Sequence, residues 1–305
     1  MAQTQKHIPV MLDEVLQALN PQDGKTYVDA TFGNGGYTSA ILNAADCKVI
    51  ALDRDPTVVK RADELKKIYG DRFEFVAGRF GDFAKLVTQD IDGAVFDIGV
   101  SSMQIDTADR GFSFAKDGAL DMRMSLDGKS AKDIVNTYGE KELADILYNY
   151  GEEKKSYQIA RKIVQYREEK EISSTTELAE IIYSVIHKKF GEIDPATRTF
   201  QALRIAVNNE LEELQNGLEG AVLRLKSGAP IIVVSFHSLE ERIVKNYFKE
   251  KSGKTAGTSR YMPEVQKTAQ QIYFTKYSKA IAPSAEEIAR NPRSRSAKMR
   301  FALKS

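Results

Sequence analysis

Asp29 opens the segment Asp29-Ala30-Thr31-Phe32-Gly33-Asn34-Gly35-Gly36, and Asp53 closes a second apolar run, Val49-Ile50-Ala51-Leu52. A carboxylate at the carboxyl end of a buried strand can accept both hydroxyls of a ribose, and glycines after the preceding strand let backbone pass close beneath a ligand. A dinucleotide fingerprint would read G-x-G-x-x-G and seat a pyrophosphate on a helix N-terminus. Here the glycines compress to Gly33-x-Gly35-Gly36 behind an acidic residue. That pattern suits S-adenosylmethionine, which has no phosphate but carries an amine and a carboxylate that Asp29 and the Gly35 and Gly36 amides can meet. A glycine-rich turn is also a plain tight connection in many α/β proteins, and its pairing with Asp53 is what favours the cofactor reading.

Asp97, in Phe96-Asp97-Ile98-Gly99-Val100-Ser101-Ser102, falls at the end of a later apolar run, where open α/β sheets bind ligands. It is a candidate for the reaction centre, with a turn-capping role as the alternative. Gln104 and the run Asp109-Arg110-Gly111-Phe112-Ser113-Phe114 follow as a dense polar and aromatic loop of the kind that binds substrate. At the other end of the chain Arg290, Arg293, Arg295, Lys298, Arg300 and Lys304 come without an intervening acid. They are suited either to a phosphate-rich partner or to a solvated edge.

The elements that must position these residues are strands at Tyr27–Ala30, Lys48–Leu52, Phe73–Val76, Gly93–Ile98, Pro230–Ser235, Gln271–Phe274 and Ala297–Leu303. Helical patterns separate the first four, which implies an α/β, doubly wound, mostly parallel sheet of Rossmann-like type. The last strand is expected antiparallel because only a loop precedes it. Between the fourth and fifth strands the composition is helical. Ser174-Thr175-Thr176-Glu177 reads as a capping box, and Asp194-Pro195 opens a single long helix to about Leu225. The expected organisation is a sheet domain over 1–103 and 215–305 with an all-α insertion over 104–214.

The chain has 305 residues, 42% hydrophobic, a net charge of +1 and one cysteine, Cys47. These values exclude a disulfide framework and a global polyanion binder. A polar start without an apolar signal core, and no uncharged run of membrane-spanning length, lead to the expectation of a cytoplasmic enzyme with no membrane contact.

The chain resembles the bacterial small-subunit ribosomal RNA cytosine-N4 methyltransferase family, known as RsmH or MraW, from His7 almost to Arg300. The likeness rests on Asp29–Gly36, Leu52-Asp53-Arg54-Asp55-Pro56, Asp97–Ser102, Arg110–Phe114, Leu120-Asp121-Met122-Arg123-Met124, Pro195–Ala202 and Ser235-Phe236-His237-Ser238-Leu239-Glu240. It departs at Tyr37, where the family commonly has histidine. The resemblance implies a class I methyltransferase fold and methylation of a 16S ribosomal RNA cytidine in the decoding region, with the small ribosomal subunit as partner and no metal. It further implies that Gly35, Gly36, Tyr37, Asp53, Phe80, Asp97 and Gln104 line the S-adenosylmethionine site. Phe80 would stack on adenine, with packing at the sheet edge as its alternative.

For that chemistry Asp97 would accept a hydrogen bond from the target amine, and Phe236 and His237 would stack or hydrogen-bond the extruded base. A helix-capping role is the alternative for His237. Arg198, Gln201 and Arg204 share a helical face suited to RNA phosphates, or else the arginines brace the insertion through Glu210 or Glu212. Two rivals remain open at this point, a nicotinamide-dependent dehydrogenase and a noncatalytic RNA-binding assembly factor. Binding of S-adenosylhomocysteine without NAD separates the first, and methyl incorporation into RNA the second.

Overall fold

In the computed structural model, which describes residues 9–188, 191–253 and 271–305, the apolar runs assemble into one seven-stranded sheet. His7, where the family likeness begins, lies outside the described residues. The chain divides into two compact units, one formed by the chain up to Gly99 together with Leu211 onward, the other by Val100–Glu210.

In the first unit, α1 (Leu12–Leu19) precedes β1 (Thr26–Asp29), and α2 (Gly36–Ala44) leads to β2 (Lys48–Asp53). Then α3 (Val59–Tyr69) leads to β3 (Phe73–Ala77), and α4 (Phe83–Leu86) is followed by β4 (Gly93–Asp97). The second unit holds α5 (Ser102–Asp106), α6 (Ala131–Thr137), α7 (Glu140–Gly151), α8 (Ser156–Glu169), α9 (Thr175–Val185) and α10 (Ala196–Asn208). Among its described residues the only β pairing is an isolated bridge, Ala119 with Ser174. Its own core includes Leu143, Leu147, Ile159, Ile163, Leu178, Ile182 and Leu203. The chain returns to the sheet unit through α11 (Glu210–Arg224), β5 (Pro230–Ser235), α12 (Ser238–Lys251), β6 (Phe274–Tyr277), α13 (Ala285–Arg290) and β7 (Lys298–Lys304).

The sheet order is β3-β2-β1-β4-β5-β7-β6. The first five strands are parallel, and β7 runs antiparallel to both β5 and β6. Strands buried on both faces read as continuous apolar runs, which is why these were legible. One face packs Val28, Leu52, Phe96 and Val233 against Phe83 on α4 and Leu214 and Leu218 on α11.

Four expectations are corrected. Strand β6 begins at Phe274 rather than Gln271, because the apolar Ile272 is 56% exposed and Tyr273 donates its N–H to the Lys251 carbonyl instead of to a strand. The link into β7 contains α13 and is not a plain loop. The long helix from Pro195 is two helices, α10 and α11, because Asn209 adopts a left-handed conformation, φ 53°, and donates its N–H to the Ile205 carbonyl. The helical unit accordingly spans Val100–Glu210 rather than 104–214, since Leu214 belongs to the sheet core.

The break at Asn209 is testable. Asparagine tolerates the left-handed region, whereas a β-branched residue is strained there. Asn209→Ile is expected to destabilise the protein by about 1–2 kcal/mol and Asn209→Gly by no more than a few tenths. Urea melts of both variants check this, and equal midpoints would contradict it.

Candidate active site

Asp53, Asp29 and Asp97 end three neighbouring parallel strands, β2, β1 and β4. Asp29 is level with Ala51 on one side and Val95 on the other, so Asp53 and Asp97 each lie two residues beyond it. With a side-chain period of two, all three carboxyl groups face the same side of the sheet. Burial pushes all three upward from the ordinary carboxylate range: Asp29 is raised, Asp53 is raised to about 6, and Asp97 lies well above its usual value, with the charges of Asp29 and Glu240 adding to the effect.

The acceptors of Asp29 are occupied from within the fold. Its Oδ2 takes the Thr38 backbone N–H at 3.1 Å and the Thr38 hydroxyl at 2.7 Å, and its Oδ1 takes the Thr31 N–H at 3.2 Å. Thr38 lies in the first turn of α2, so a carboxylate already sits on the donors that would cradle a phosphate. Asp53 Oδ2 accepts the Gly33 N–H at 2.7 Å and Oδ1 accepts the Asp55 N–H at 2.9 Å. Each oxygen keeps a lone pair open to a further donor.

The turn itself is packed tightly. Gly35 has φ +72°, and a Cβ there would lie 2.5 Å from Leu65 Cδ1 and 2.9 Å from Phe32 Cε2; a Cβ on Gly36 would collide with Pro9. Glycine is required at both positions by the protein's own packing, before any ligand is considered. The buried Tyr37 hydroxyl donates to the Val10 carbonyl, and the Met11 N–H donates to Glu287 on α13 at 2.6 Å. Burial and the nearby Asp97, Asp29 and Glu287 push the Tyr37 phenol up and keep it a neutral donor. Its side chain therefore ties down the segment Pro9–Met11.

Asp97 differs from its two neighbours. Its N–H donates to Thr31 Oγ1 at 2.7 Å, yet its buried Oδ1 has no hydrogen-bond partner among the described residues. Beside it, Ile98 donates its N–H to the Val234 carbonyl, joining β4 to β5 at this end. A Cβ on Gly99 would lie 3.6 Å from Phe236 Cδ2, so the half-buried Phe236 ring abuts the turn after Asp97. Glu240 holds this corner, its Oε2 accepting the Phe236 N–H at 2.8 Å and the His237 N–H at 3.2 Å. His237 is the N-cap of α12, with Nε2 2.9 Å from Glu240 Oε1. Thr31, Thr38 and Glu240 were not among the sequence candidates, although the spacing His237-x-x-Glu240 is a capping-box signal.

The remaining candidates divide between the two units. Phe80 follows β3 in the sheet unit, half-buried, its ring 5.9 Å from that of Phe96 and edge-on to it. Gln104 belongs to the helical unit, where Oε1 accepts the Ser101 N–H at 3.0 Å in a capping box. On α10, Arg198 donates to the Glu152 carbonyl at 3.3 Å and Gln201 to the Tyr150 carbonyl at 3.0 Å. Arg204 forms a bidentate pair with Glu210, both bonds 2.8 Å, so its fork is taken up by bracing. Arg293 and Arg295 are exposed. Arg300 corrects the reading of the tail: it is a buried residue of β7, bound to Glu241 at 3.0 Å through Nε and to the Ser278 carbonyl at 3.1 Å, and is not available to a phosphate.

A buried carboxylate oxygen without a donor, set among further acids, is costly unless a cation compensates it. S-adenosylmethionine carries a sulfonium and an ammonium and fits this donor set. A pyrophosphate does not, because it would meet the Asp29 carboxylate at the helix N-terminus. The sheet order with its antiparallel β7, and acids at these strand ends, define a class I S-adenosylmethionine-dependent methyltransferase. The chain belongs to the MraW methylase family, whose model matches residues 4–305. It is similar to the ribosomal RNA small subunit methyltransferase H of Rickettsia massiliae, 54% identical over 301 residues and 98% of each chain. The protein of that name from Rickettsia akari is 53% identical over 304 residues, 98% of this chain and 99% of its own. A solved ribosomal RNA methylase from Streptococcus thermophilus is a distant likeness, 10% identical with a TM-score of 0.43 over 96% of this chain and 93% of its own. No helix among the described residues is long and apolar enough to cross a membrane.

The raised Asp53 carboxyl gives a pH prediction. Its shift stabilises the fold at low pH, a contribution lost as pH rises through about 6, whereas ribose binding needs the ionised form. S-adenosylhomocysteine affinity is expected to be about tenfold lower at pH 5 than at pH 7. In Asp53→Asn the affinity falls and the pH step disappears. Calorimetry across this range checks both, and a flat profile in the parent would contradict the assignment.

Proposed function

We propose that this methyltransferase acts on the exocyclic N4 amine of a cytidine in the decoding region of 16S ribosomal RNA, presented within the small ribosomal subunit in the cytoplasm, and that the helical unit carries substrate recognition. The RNA class is supported by the names of the Rickettsia relatives, which match along nearly the whole chain. The observation that carries the chemistry is Asp97 Oδ1, without a hydrogen-bond partner among the described residues, at the end of β4 where Phe236 abuts the following turn.

S-adenosylmethionine, when bound, supplies a methyl carbon on a positively charged sulfur. An exocyclic cytosine nitrogen is a poor nucleophile, because its lone pair is delocalised into the ring. The site must hold that lone pair in line with the methyl group and accept an N–H as positive charge develops on nitrogen. Asp97 Oδ1 is the acceptor. The Phe236 ring supports the face of the extruded base. Glu240 fixes Phe236 through its backbone N–H, and Thr31 fixes Asp97 in the same way. His237, as helix cap, holds the start of α12 against this corner. Phe80 stacks on adenine and Asp53 takes the ribose.

Asp97→Asn retains the shape but replaces an acceptor by a group that can misdirect a donor. Single-turnover methylation of small-subunit RNA should fall about a hundredfold while the melting temperature holds. A near-parental single-turnover rate would remove Asp97 from the chemistry.

RNA phosphates are held by the exposed Arg293 and Arg295 and by Arg198, with Gln201 beside it on α10. Arg293→Gln with Arg295→Gln should weaken RNA binding and lessen the log–log salt slope by about 0.7–0.9 per lost contact, leaving S-adenosylhomocysteine affinity unchanged. Parental affinity and slope would make the tail a solvated edge.

A further inference from the structure

The half-buried Phe80 ring sits in a turn that is held from one side by a single helix. Glu213 on α11 is largely buried, its side chain 10% exposed. Its Oε2 accepts the Gly81 N–H at 3.1 Å, and its Oε1 accepts from the Arg79 guanidinium at 3.4 Å. One carboxylate thus grips both residues flanking Phe80. The contact is too close for side chains. A Cβ on Gly81 would lie 2.6 Å from Glu213 Oε2 and 3.3 Å from Glu213 Cα. On the same face of α11, a Cβ on Gly217 would lie 2.7 Å from Phe80 Cδ2, 3.0 Å from its carbonyl oxygen and 3.3 Å from Phe96 Cε1. One turn further, a Cβ on Gly220 would lie 2.9 Å from both Ala84 N and Phe83 Cβ. Positions 213, 217 and 220 recur at helical spacing, so one stripe of α11 supplies the grip and the floor for the whole turn.

We infer that Glu213 is a positioning residue for the methyl donor's adenine, acting through Phe80 by holding the Gly81 backbone N–H and the Arg79 guanidinium on either side of it, so that the ring is fixed against Gly217 and Phe96. This rests on the reading of Phe80 as the adenine-stacking side chain. A stacked aromatic contributes fully only when its orientation is set before binding, and a carboxylate that holds the next residue's backbone N–H and the preceding residue's guanidinium sets it. Arg79, 44% exposed on its side chain, completes the clamp from the solvent side.

Acting through Phe80 has a signature that general stabilisation lacks. S-adenosylhomocysteine affinity is measured by calorimetry for the parent, Glu213→Ala, Phe80→Ala and the double variant, each with a melting curve. Glu213→Ala should weaken binding about tenfold in the parent and less than about twofold in the Phe80→Ala background. Steady-state kinetics should show a raised KM for S-adenosylmethionine at nearly parental kcat. Glu213→Gln, which keeps an acceptor for the Gly81 N–H, should recover most of the affinity; Glu213→Leu, which fills the space without an acceptor, stands in for the alanine variant if that fails to fold. Equal losses in both backgrounds, or no loss in the parent, would overturn the inference. A Phe80→Ala variant with parental affinity would instead overturn the stacking reading on which it rests.

Discussion

Three carboxyl groups, Asp29 buried and Asp53 and Asp97 half-buried, stand side by side at the carboxyl ends of β1, β2 and β4, and the protein must hold them there against their desolvation and mutual repulsion. Each is handled differently. Asp29 is satisfied internally by Thr31 and Thr38, Asp53 is half satisfied by the Gly33 and Asp55 amides, and Asp97 Oδ1 is left without a donor among the described residues. The result is a gradient from closed to open across one edge of the sheet. The satisfied acid locks the glycine turn, the half-satisfied one keeps a lone pair on each oxygen, and the open one keeps an oxygen that no donor among the described residues reaches. The parallel register of β1 with both its neighbours puts all three on one face, so the sheet topology and the site chemistry are a single arrangement.

Around these acids, the contacts that hold the site come from distant parts of the chain. Tyr37 and Glu287 pin the Pro9–Met11 segment beside the glycine turn, Glu213 grips the backbone around Phe80, and Glu240 grips the backbone of Phe236. In the last two cases a buried carboxylate accepts backbone N–H groups next to an aromatic ring and leaves the ring itself available. Charge-assisted bonds of this kind are short and directional, and they fix a loop more firmly than side-chain packing alone.

The strands and the acids at their ends were legible in the sequence because a buried parallel strand is a continuous apolar run and its end is marked by the first polar residue. The capping box at Ser174 was legible for a similar local reason. What stayed hidden depended on partners far away in sequence. The break at Asn209 sits within unbroken helical periodicity, and only its left-handed backbone separates α10 from α11. Arg300 looks like a free cation in a string of letters, yet Glu241 occupies it. The glycines at 35 and 36 were read as making room for a ligand, whereas Leu65, Phe32 and Pro9 already fill the space beside them. Ile272 and Tyr273 carry an apolar signal but are outside the ladder, which moved the start of β6. Residue type reports burial well when one element decides it, and poorly when a neighbouring element does.

The most direct test of the account is nucleoside mass spectrometry of small-subunit ribosomal RNA after incubation with the purified protein and methyl-labelled S-adenosylmethionine. The account predicts label in N4-methylcytidine alone, at a single position in the decoding region. Label at a ring carbon, on a ribose hydroxyl or in another base would contradict it, as would an absence of transfer from a protein that binds S-adenosylhomocysteine.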